Sequence, residues 1–344
     1  MSTKQKILER LASNLNQSVS GQELASELSI SRTAVWKAIQ ALQQSGHQII
    51  ANTNQGYMLY SACDVLSAEG IRNELATIGE HGLDIQDTEN PLTDLHTALP
   101  TIDLQIFDTV SSTNDLVKEL AVEGKNEGLV VIASSQTKGR GRRGRSFFSP
   151  DQSGIYMSIL LRPQDVLPGD ALKITSMAAV AAALAIEDIC DKTADIKWVN
   201  DILIDGKKVA GILTEASLSM ENGRFEYVVL GMGVNIYPPD NGFPADILDI
   251  ATSVLLEPQF GCKNKLVAHF LAYFFNFYQH GIDYQNLYRS KSLVIGKDIW
   301  VIKGDERLAA RAIDLHGDQL VVEYLDHTIE TLTSGEISIR LKGQ

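Results

Sequence analysis

The spacing of apolar residues changes character twice along this 344-residue chain, and each change marks a different kind of packing unit. From Lys4 to Leu15 the apolar residues Ile7, Leu8, Leu11 and Leu15 recur at helical period. A second helix starts after Ser20, a cap residue with Glu23 three positions on, and buries Leu24, Ala25 and Leu28. A third follows the short turn Leu28–Ser31, with Ser31 as cap, Val35, Ile39 and Leu42 facing inward, and Gly46 as its stop. Two short extended runs then appear, Gln48 to Ala51 and Tyr57 to Tyr60, joined by the turn-rich Asn52-Thr53-Asn54-Gln55-Gly56. Three helices and a β-hairpin make a winged helix-turn-helix pattern over residues 1–62.

Residues 63–101 read as a connecting helix, Ser67 to Ile78, and a linker or long surface loop from 79 onward. Between 102 and 292 strands and helices interleave. Strands are expected at Asp103–Asp108, Leu129–Ser134, Ile155–Arg162, Asp195–Trp198, Val209–Ala216 and Phe225–Ile236, and helices at Thr113–Glu123, Ala171–Cys190 and Lys263–His280. That predicts an α+β domain, a mixed β-sheet with helices mainly on one face. From 293 to 344 the pattern becomes short alternating strands, suited to a small β-barrel.

Overall the chain carries a net charge of −13, which on an even distribution would exclude a nucleic-acid binder. The distribution is uneven. Residues 1–60 hold five Lys/Arg against three Glu, whereas Lys138 to Arg145 pack five positive charges into eight residues of an acidic body. The N-terminal MSTKQKILER has no apolar core of a signal peptide, and the longest apolar stretch, Met177 to Ile186, is about half a membrane span. With three dispersed cysteines, Cys63, Cys190 and Cys262, the expectation is a cytoplasmic, reduced, disulfide-free protein with no membrane partner.

The basic stretch Thr137–Arg145 formally satisfies G-x-G-x-x-G through Gly139, Gly141 and Gly144. A dinucleotide fingerprint also needs those glycines to open an apolar helix, and Ser146-Phe147-Phe148-Ser149-Pro150 is not one. What remains is a glycine-freed loop whose guanidiniums suit phosphate or carboxylate and which mutual repulsion should loosen until an anion arrives; an arginine-glycine tract for RNA and a merely solvated loop are the alternatives. Asp195–Asp201 ends a strand and places Lys197 beside Trp198, Asn200 and Asp201, either a cation held for a ligand or an ordinary surface turn. Lys207-Lys208 precede Val209-Ala210-Gly211-Ile212-Leu213, and a glycine inside an apolar strand signals close approach of backbone or ligand; Gly231-Met232-Gly233-Val234-Asn235 repeats the device, unless it is a bulge. Ser111-Ser112-Thr113-Asn114 opens a helix, one residue capping it and the others free to face a ligand. There is no metal-ligand spacing among the seven histidines, no nucleophile elbow and no P-loop, so chemistry here would rest on positioning and on cations around phosphate.

In order, Ser112-Thr113-Asn114, Gln136 with Gly139–Arg145, Lys197-Trp198-x-Asn200-Asp201, Lys208-x-Ala210-Gly211-Ile212-Leu213 and Gly231-x-Gly233-x-Asn235 resemble the biotin protein ligases, or biotin-[acetyl-CoA-carboxylase] ligases. With the winged helix in front, the chain is similar to the bifunctional members that also repress biotin operon genes, and Ser334–Arg340 is similar to that family's closing strand. The resemblance covers nearly the whole chain apart from residues 79–101, and implies a class II synthetase-like ligase domain followed by an SH3-like β-barrel.

The resemblance implies the following chemistry. Biotin's carboxylate attacks the α-phosphorus of ATP, pyrophosphate leaves, and biotinyl-5′-AMP stays bound until biotin passes to a lysine of a biotin carboxyl carrier domain. Lys197 and Arg142 would be catalytic. Ser112, Thr113, Asn114, Gln136, Gly139, Arg140, Gly141, Arg142, Lys197, Gly211, Leu213 and Gly231 would bind biotin, and Arg140, Arg142, Arg143, Asn200 and Asn235 the adenylate. ATP and biotin, the latter also as co-repressor, are the implied cofactors, with Mg²⁺ whose ligands the sequence does not name. Two departures stand out. Val199 replaces the family's common Pro, and Phe147-Phe148 follow the arginine loop where Trp is frequent. With no Trp between Asn235 and Gly281, Phe243 and Ile250 are the candidates to pack on adenine. For the winged helix, Ser31, Arg32, Thr33, Lys37 and Gln40 would read operator DNA as a ligand-induced homodimer on two half-sites, since one weakly basic head binds poorly; protein contact is the alternative use. A biotin sensor without ligase activity and a lipoate ligase-like enzyme are the competing readings.

Overall fold

A computed structural model of the chain describes residues 3–44, 47–52, 55–60, 64–83, 100–164, 166–167, 171–333 and 337–341. Gly46, Asn54, Cys63, residues 84–99 of the expected linker and Ser334–Glu336 lie outside them.

The first unit has helices α1 (Thr3–Ala12), α2 (Gly21–Glu27) and α3 (Arg32–Gln44), then strands β1 (Ile49–Asn52) and β2 (Gly56–Leu59), paired antiparallel with Ile49 opposite Leu59. Its core is the set the helical period selects: Ile7, Leu11, Leu24, Val35, Ile39 and Leu42, closed by Leu59. Ser20 caps α2 by accepting from the Glu23 backbone N–H at 3.1 Å. The Glu23 carboxylate does not complete a capping box; together with Glu27 it holds Arg10 of α1, each at 2.7 Å. Helix α4 (Ala68–His81) then leads to the second unit, capped by Ser67.

That unit is built on strands β3 (Asp103–Val110), β4 (Leu129–Gln136), β5 (Gly154–Leu161), β6 (Asp195–Lys197), β7 (Asp201–Ile204), β8 (Lys207–Leu218) and β9 (Phe225–Asn235), with helices α5 (Thr113–Val122), α6 (Ala171–Cys190), α7 (Cys262–His280) and α8 (Gln285–Ser290). The sheet order is β3-β4-β5-β9-β8-β7-β6. Only β3 and β4 run parallel, because α5 carries the chain between them; every other pair is antiparallel. β5 is buried at all eight positions, which is why its sequence, GIYMSILL, is nearly continuous apolar rather than alternating. α6 and α7 pack together and, with α4, cover one face through Ile132, Ile159, Leu230 and Ile186. On the other face α5 packs on Leu129, Val131, Leu160 and Val229, flanked by Phe107 and Tyr227. Beyond the end of α5 this second face carries Ser158, Gly211, Leu213, Gly231 and Gly233, and the candidate site lies there.

The last unit is a five-stranded antiparallel sheet, β10 (Asp298–Lys303), β11 (Glu306–His316), β12 (Gln319–Tyr324), β13 (Ile329–Leu332) and β14 (Ile337–Leu341), in the order β13-β12-β11-β10-β14. It braces the ligand face from behind: the Trp198 indole N–H donates to the Asp318 carbonyl at 3.0 Å, fixing the turn that follows Lys197. No described helix is long and apolar enough to cross a membrane.

Candidate functional site

Two adjoining cavities open on the partly covered sheet face. The inner one is narrow, and its polar end is made by the start of α5. Ser112 caps that helix, so its hydroxyl accepts from the Asp115 N–H, while Thr113 and Asn114 turn inward and are almost fully buried. Gln136, at the end of β4, accepts from the Thr113 N–H at 2.8 Å and donates to Ser149 Oγ at 3.0 Å. Ser158 donates to Asn114 Oδ1 at 2.6 Å and lies 2.8 Å from Thr113 Oγ1. The other end of the Asn114 amide donates to Glu215 at 2.8 Å, and Lys118 donates to the second Glu215 oxygen at 2.6 Å. Burial alone would raise the Glu215 carboxyl, but these hydrogen bonds and the charges of Lys118 and Arg140 outweigh it and hold it below the ordinary glutamate value. These bonds fix both the position and the donor–acceptor sense of each amide.

The strand glycines create the room. Leu213 pairs with Gly231 and Gly211 with Gly233 across β8 and β9. A Cβ on Gly231 would stand 2.0 Å from Asn114 Oδ1, and one on Gly233 would stand 2.5 Å from the Phe147 ring. The glycines therefore mark close approach of side chains to the sheet, with no bulge at these positions. Gly139 serves the same end from outside: its Cα faces the Phe147 carbonyl and Ser149, where a side chain would collide, so it shapes the loop and its outer groove without lining either of the two cavities.

The outer cavity measures about 600 Å³ and is lined by Lys197, Asn200, Asp201, Asn235, Phe148, Phe243 and Ile250, among others. Four residues line both cavities: Arg142, Phe147, Asn200 and Lys208. Arg142 is half-buried and donates to Asn200 Oδ1 at 3.0 Å; burial holds its guanidinium below the usual arginine value. Lys208 donates to Asp201 at 2.6 Å, and its Nζ lies 5.9 Å from the Phe147 ring centroid. Sequence reasoning singled out Lys197 as the key cation, yet Lys197 lines only the outer cavity, whereas Lys208 stands where the two meet. The signal for Lys208 was the glycine three residues on: a Cβ at Gly211 would lie 2.9 Å from Lys208 Nζ. The peptide joining Trp198 to Val199 is cis.

The arginine loop is closed on itself, with Gly141 N–H donating to the Arg145 carbonyl at 2.8 Å and a 3₁₀ turn over Arg142–Gly144. Its expected looseness is countered by partners: Arg140 pairs with Asp115 at 2.5 Å and lies 3.8 Å from Glu215, while Arg142 has Asn200. Of the residues expected around an adenylate, Arg142, Asn200 and Asn235 line the outer cavity. Arg140 lines the inner one, and Arg143 lines neither, facing the loop's outer groove. Among the other residues expected around biotin, Ser112, Thr113, Asn114, Gln136, Gly141, Gly211, Leu213 and Gly231 line the inner cavity.

In the N-terminal unit, α3 presents Arg32, Thr33, Lys37 and Gln40 to solvent on one side while Val35, Ile39 and Leu42 face the core. Ser31 is exposed but its hydroxyl caps α3 by accepting from the Ala34 N–H at 3.1 Å. Trp36, which sequence patterning did not single out, is 53% exposed on the same side.

Residues 106–235 match the biotin/lipoate A/B protein ligase family, and residues 3–58 match a helix-turn-helix domain family. The chain is 38% identical over 241 residues to the bifunctional ligase/repressor BirA of Bacillus subtilis, a match covering 70% of this chain and 66% of that protein, just under two thirds of its length. It is 27% identical over 329 residues to the BirA of Salmonella typhimurium, covering 93% of each. Among solved structures, the biotin protein ligase of Aquifex aeolicus in complex with biotin and ATP superposes with a TM-score of 0.58 at 24% identity, covering 70% of this chain and 99% of that one. The last comparison establishes the shared fold.

Proposed function

We propose that the chain is a member of the biotin/lipoate A/B protein ligase family, whose model its residues 106–235 match, and that it is an ATP-dependent biotin protein ligase and biotin-responsive transcriptional repressor. The observation that carries the enzymatic half is the meeting of the two cavities at Arg142 and Lys208. In this reading the ureido ring of biotin enters the inner cavity and exchanges hydrogen bonds with Ser112, Thr113, Asn114 and Gln136, while Gly211, Leu213 and Gly231 wall its apolar part. The carboxylate then points to the junction. ATP occupies the outer cavity, with the α-phosphate near Lys197, Arg142 and Asn200, and the adenine toward Phe148, Phe243 and Ile250.

Both reactants are anions, so their mutual repulsion is part of the barrier. Cations fixed between them lower it, and groups already in place need no reorganisation as charge shifts to the leaving pyrophosphate. Lys208 and Arg142 hold that position and Lys197 flanks it. Arg140 and the rest of the loop stand over the inner cavity, where they would keep water from the mixed anhydride. The described residues contain no group of three or more side chains suited to hold a metal. Asp201 and Asp249, the carboxylates that line the outer cavity, would help hold an Mg²⁺ accompanying ATP, which would supply further positive charge against the phosphates.

The acceptor is a lysine of a biotin carboxyl carrier domain, and the repressor half acts as a ligand-promoted dimer whose α3 helices read two half-sites of operator DNA through Arg32, Thr33, Lys37 and Gln40. Incubation with ATP, labelled biotin or lipoate, and a carrier domain tests the first half. Biotin transfer is expected; transfer of lipoate alone, or equal transfer by Lys197→Ala and Lys208→Ala variants, refutes the assignment. Sedimentation tests the second half: dimerisation equally strong with and without biotin and ATP refutes the coupling.

A further inference from the structure

Two nucleophilic side chains, distant in sequence and outside both cavities, meet in the core. Cys190 is the last residue of α6 and Cys262 the first of α7, and their Sγ atoms lie 3.9 Å apart. Both are free thiols, 7% and 3% exposed. Buried cysteine by itself packs as a small apolar residue and implies nothing. Three features of this pair go further. The separation exceeds a sulfur–sulfur bond by only about 2 Å, a gap that side-chain rotation and slight helix adjustment can close. Cys262 occupies the first turn of a 19-residue helix, where unpaired backbone N–H groups favour a thiolate. And a cavity lies close by: Phe260 and Gly261, just before Cys262, line a space of about 190 Å³ at the seam between the winged helix and α4 and α7.

We propose that Cys190 and Cys262 form a redox-active pair that a peroxide converts into a reversible intramolecular disulfide. The two thiols have unequal parts. The hydrogen bond between them lowers the Cys262 thiol and raises that of Cys190, with burial adding to the rise at Cys190 and opposing the fall at Cys262. Cys262, in the first turn of α7, is the attacker. Its thiolate takes one oxygen of the peroxide, giving a sulfenic acid, and the other oxygen leaves as water after taking up a proton. The Cys190 thiol then attacks that sulfur and expels a second water, so two thiols and one hydrogen peroxide give one disulfide and two waters. A dithiol reductant reverses it.

The bond would form in the turn that seats the connection to the winged helix. Lys263 N–H donates to the Asp64 carboxylate at 3.1 Å, while Asn264 accepts from Ser67 N–H at 2.9 Å and donates to the Val65 carbonyl at 2.8 Å. A redox change at Cys262 therefore acts where residues 64–67 are clamped to α7.

The test treats the full-length reduced chain with hydrogen peroxide, alkylates remaining thiols under denaturing conditions, and maps peptides without reduction. The expected product is lighter by about 2 Da, links the Cys190 peptide to the Cys262 peptide and reverts with dithiothreitol. In Cys190→Ala, Cys262 should stop at a sulfenic acid that dimedone traps; in Cys262→Ala, Cys190 should stay reduced. Complete alkylation of both cysteines after peroxide, a link made instead through Cys63, or equal oxidation of Cys190 in the Cys262→Ala variant overturns the proposal. Should either variant not fold, the linkage map of the unsubstituted chain decides alone.

Discussion

Replacing Gly231 with alanine would drive a methyl group to 2.0 Å from Asn114 Oδ1, 2.8 Å from its Cγ and 3.0 Å from its Nδ2. Gly231 lies mid-strand in β9, paired with Leu213 and Ser158, so alanine meets no backbone penalty and the effect is purely steric. An ordinary carbon–oxygen contact requires Asn114 to retreat by more than 1 Å. Its hydrogen bonds from Ser158 at 2.6 Å and to Glu215 at 2.8 Å then stretch beyond useful length. Ser158 is fully buried, and leaving buried polar groups short of partners costs about 1–3 kcal/mol each. With two bonds affected, the cost is about 2–6 kcal/mol, borne by a group that lines the proposed ureido pocket, and biotin affinity should fall roughly 30- to 20,000-fold. Titration calorimetry with biotin reads the loss, and a melting curve of the unliganded variant shows how much of it appears as stability. Affinity within about threefold of the unsubstituted chain would refute the placement of biotin against Asn114.

A Lys208→Met variant should retain its melting temperature and lose about 10²–10³-fold in ATP–pyrophosphate exchange, the usual cost of removing one group that stabilises developing charge; a rate within threefold would make its place at the cavity junction incidental. Arg32→Ala and Lys37→Ala should each reduce the slope of log affinity for operator DNA against log salt by about 1 in fluorescence anisotropy, with biotin transfer unaffected; unchanged slopes would turn that face of α3 toward protein contacts. Because Glu215 titrates below its ordinary value of 4.5, the stability it contributes is fully present above that value and lost as pH falls through its lower folded value. Melting temperatures of Glu215→Gln should therefore decline less steeply on acidification than those of the unsubstituted chain, and parallel curves would show that the carboxylate is not held as described.

How far these features could be read in advance depended on how local their cause was. Helix period and caps are set by neighbours within four residues, so α1, α2 and α3 and the caps Ser20 and Ser31 follow from sequence alone, while the structure adds Ser67 as a cap and selects Ser112 from Ser111–Asn114. Glycines at Gly211, Gly231 and Gly233 announced close approach, but not of what: Asn114 and Phe147 come from elsewhere in the chain, and only the sheet register brings them over β9. Strand β7 was hidden because Asp201–Ile204 is too short for a period to emerge beside the turn after Lys197. Glu215 and Lys208 were missed as site residues because their partners are distant in the chain. Each is ordinary in its own strand, and gains a role only through residues on α5, β7 and the arginine loop.

The charges resolve in the same way. Two cations at the site are opposed by acids of the body: Arg140 of the loop by Asp115 and Glu215, and Lys208 of β8 by Asp201. These pairs are partly open to solvent, with side-chain exposures of 47% and 39% for Arg140 and Asp115 and of 34% and 30% for Lys208 and Asp201. Pairs of that kind are worth about 0–1 kcal/mol. An arriving phosphate or carboxylate with better geometry and more charge can therefore take over the guanidinium or ammonium at little cost, while the carboxylate left behind returns to water. The acidic body holds the cations near their working positions without binding them tightly, and that is how a chain with net charge −13 can present two positive sites to anionic ligands.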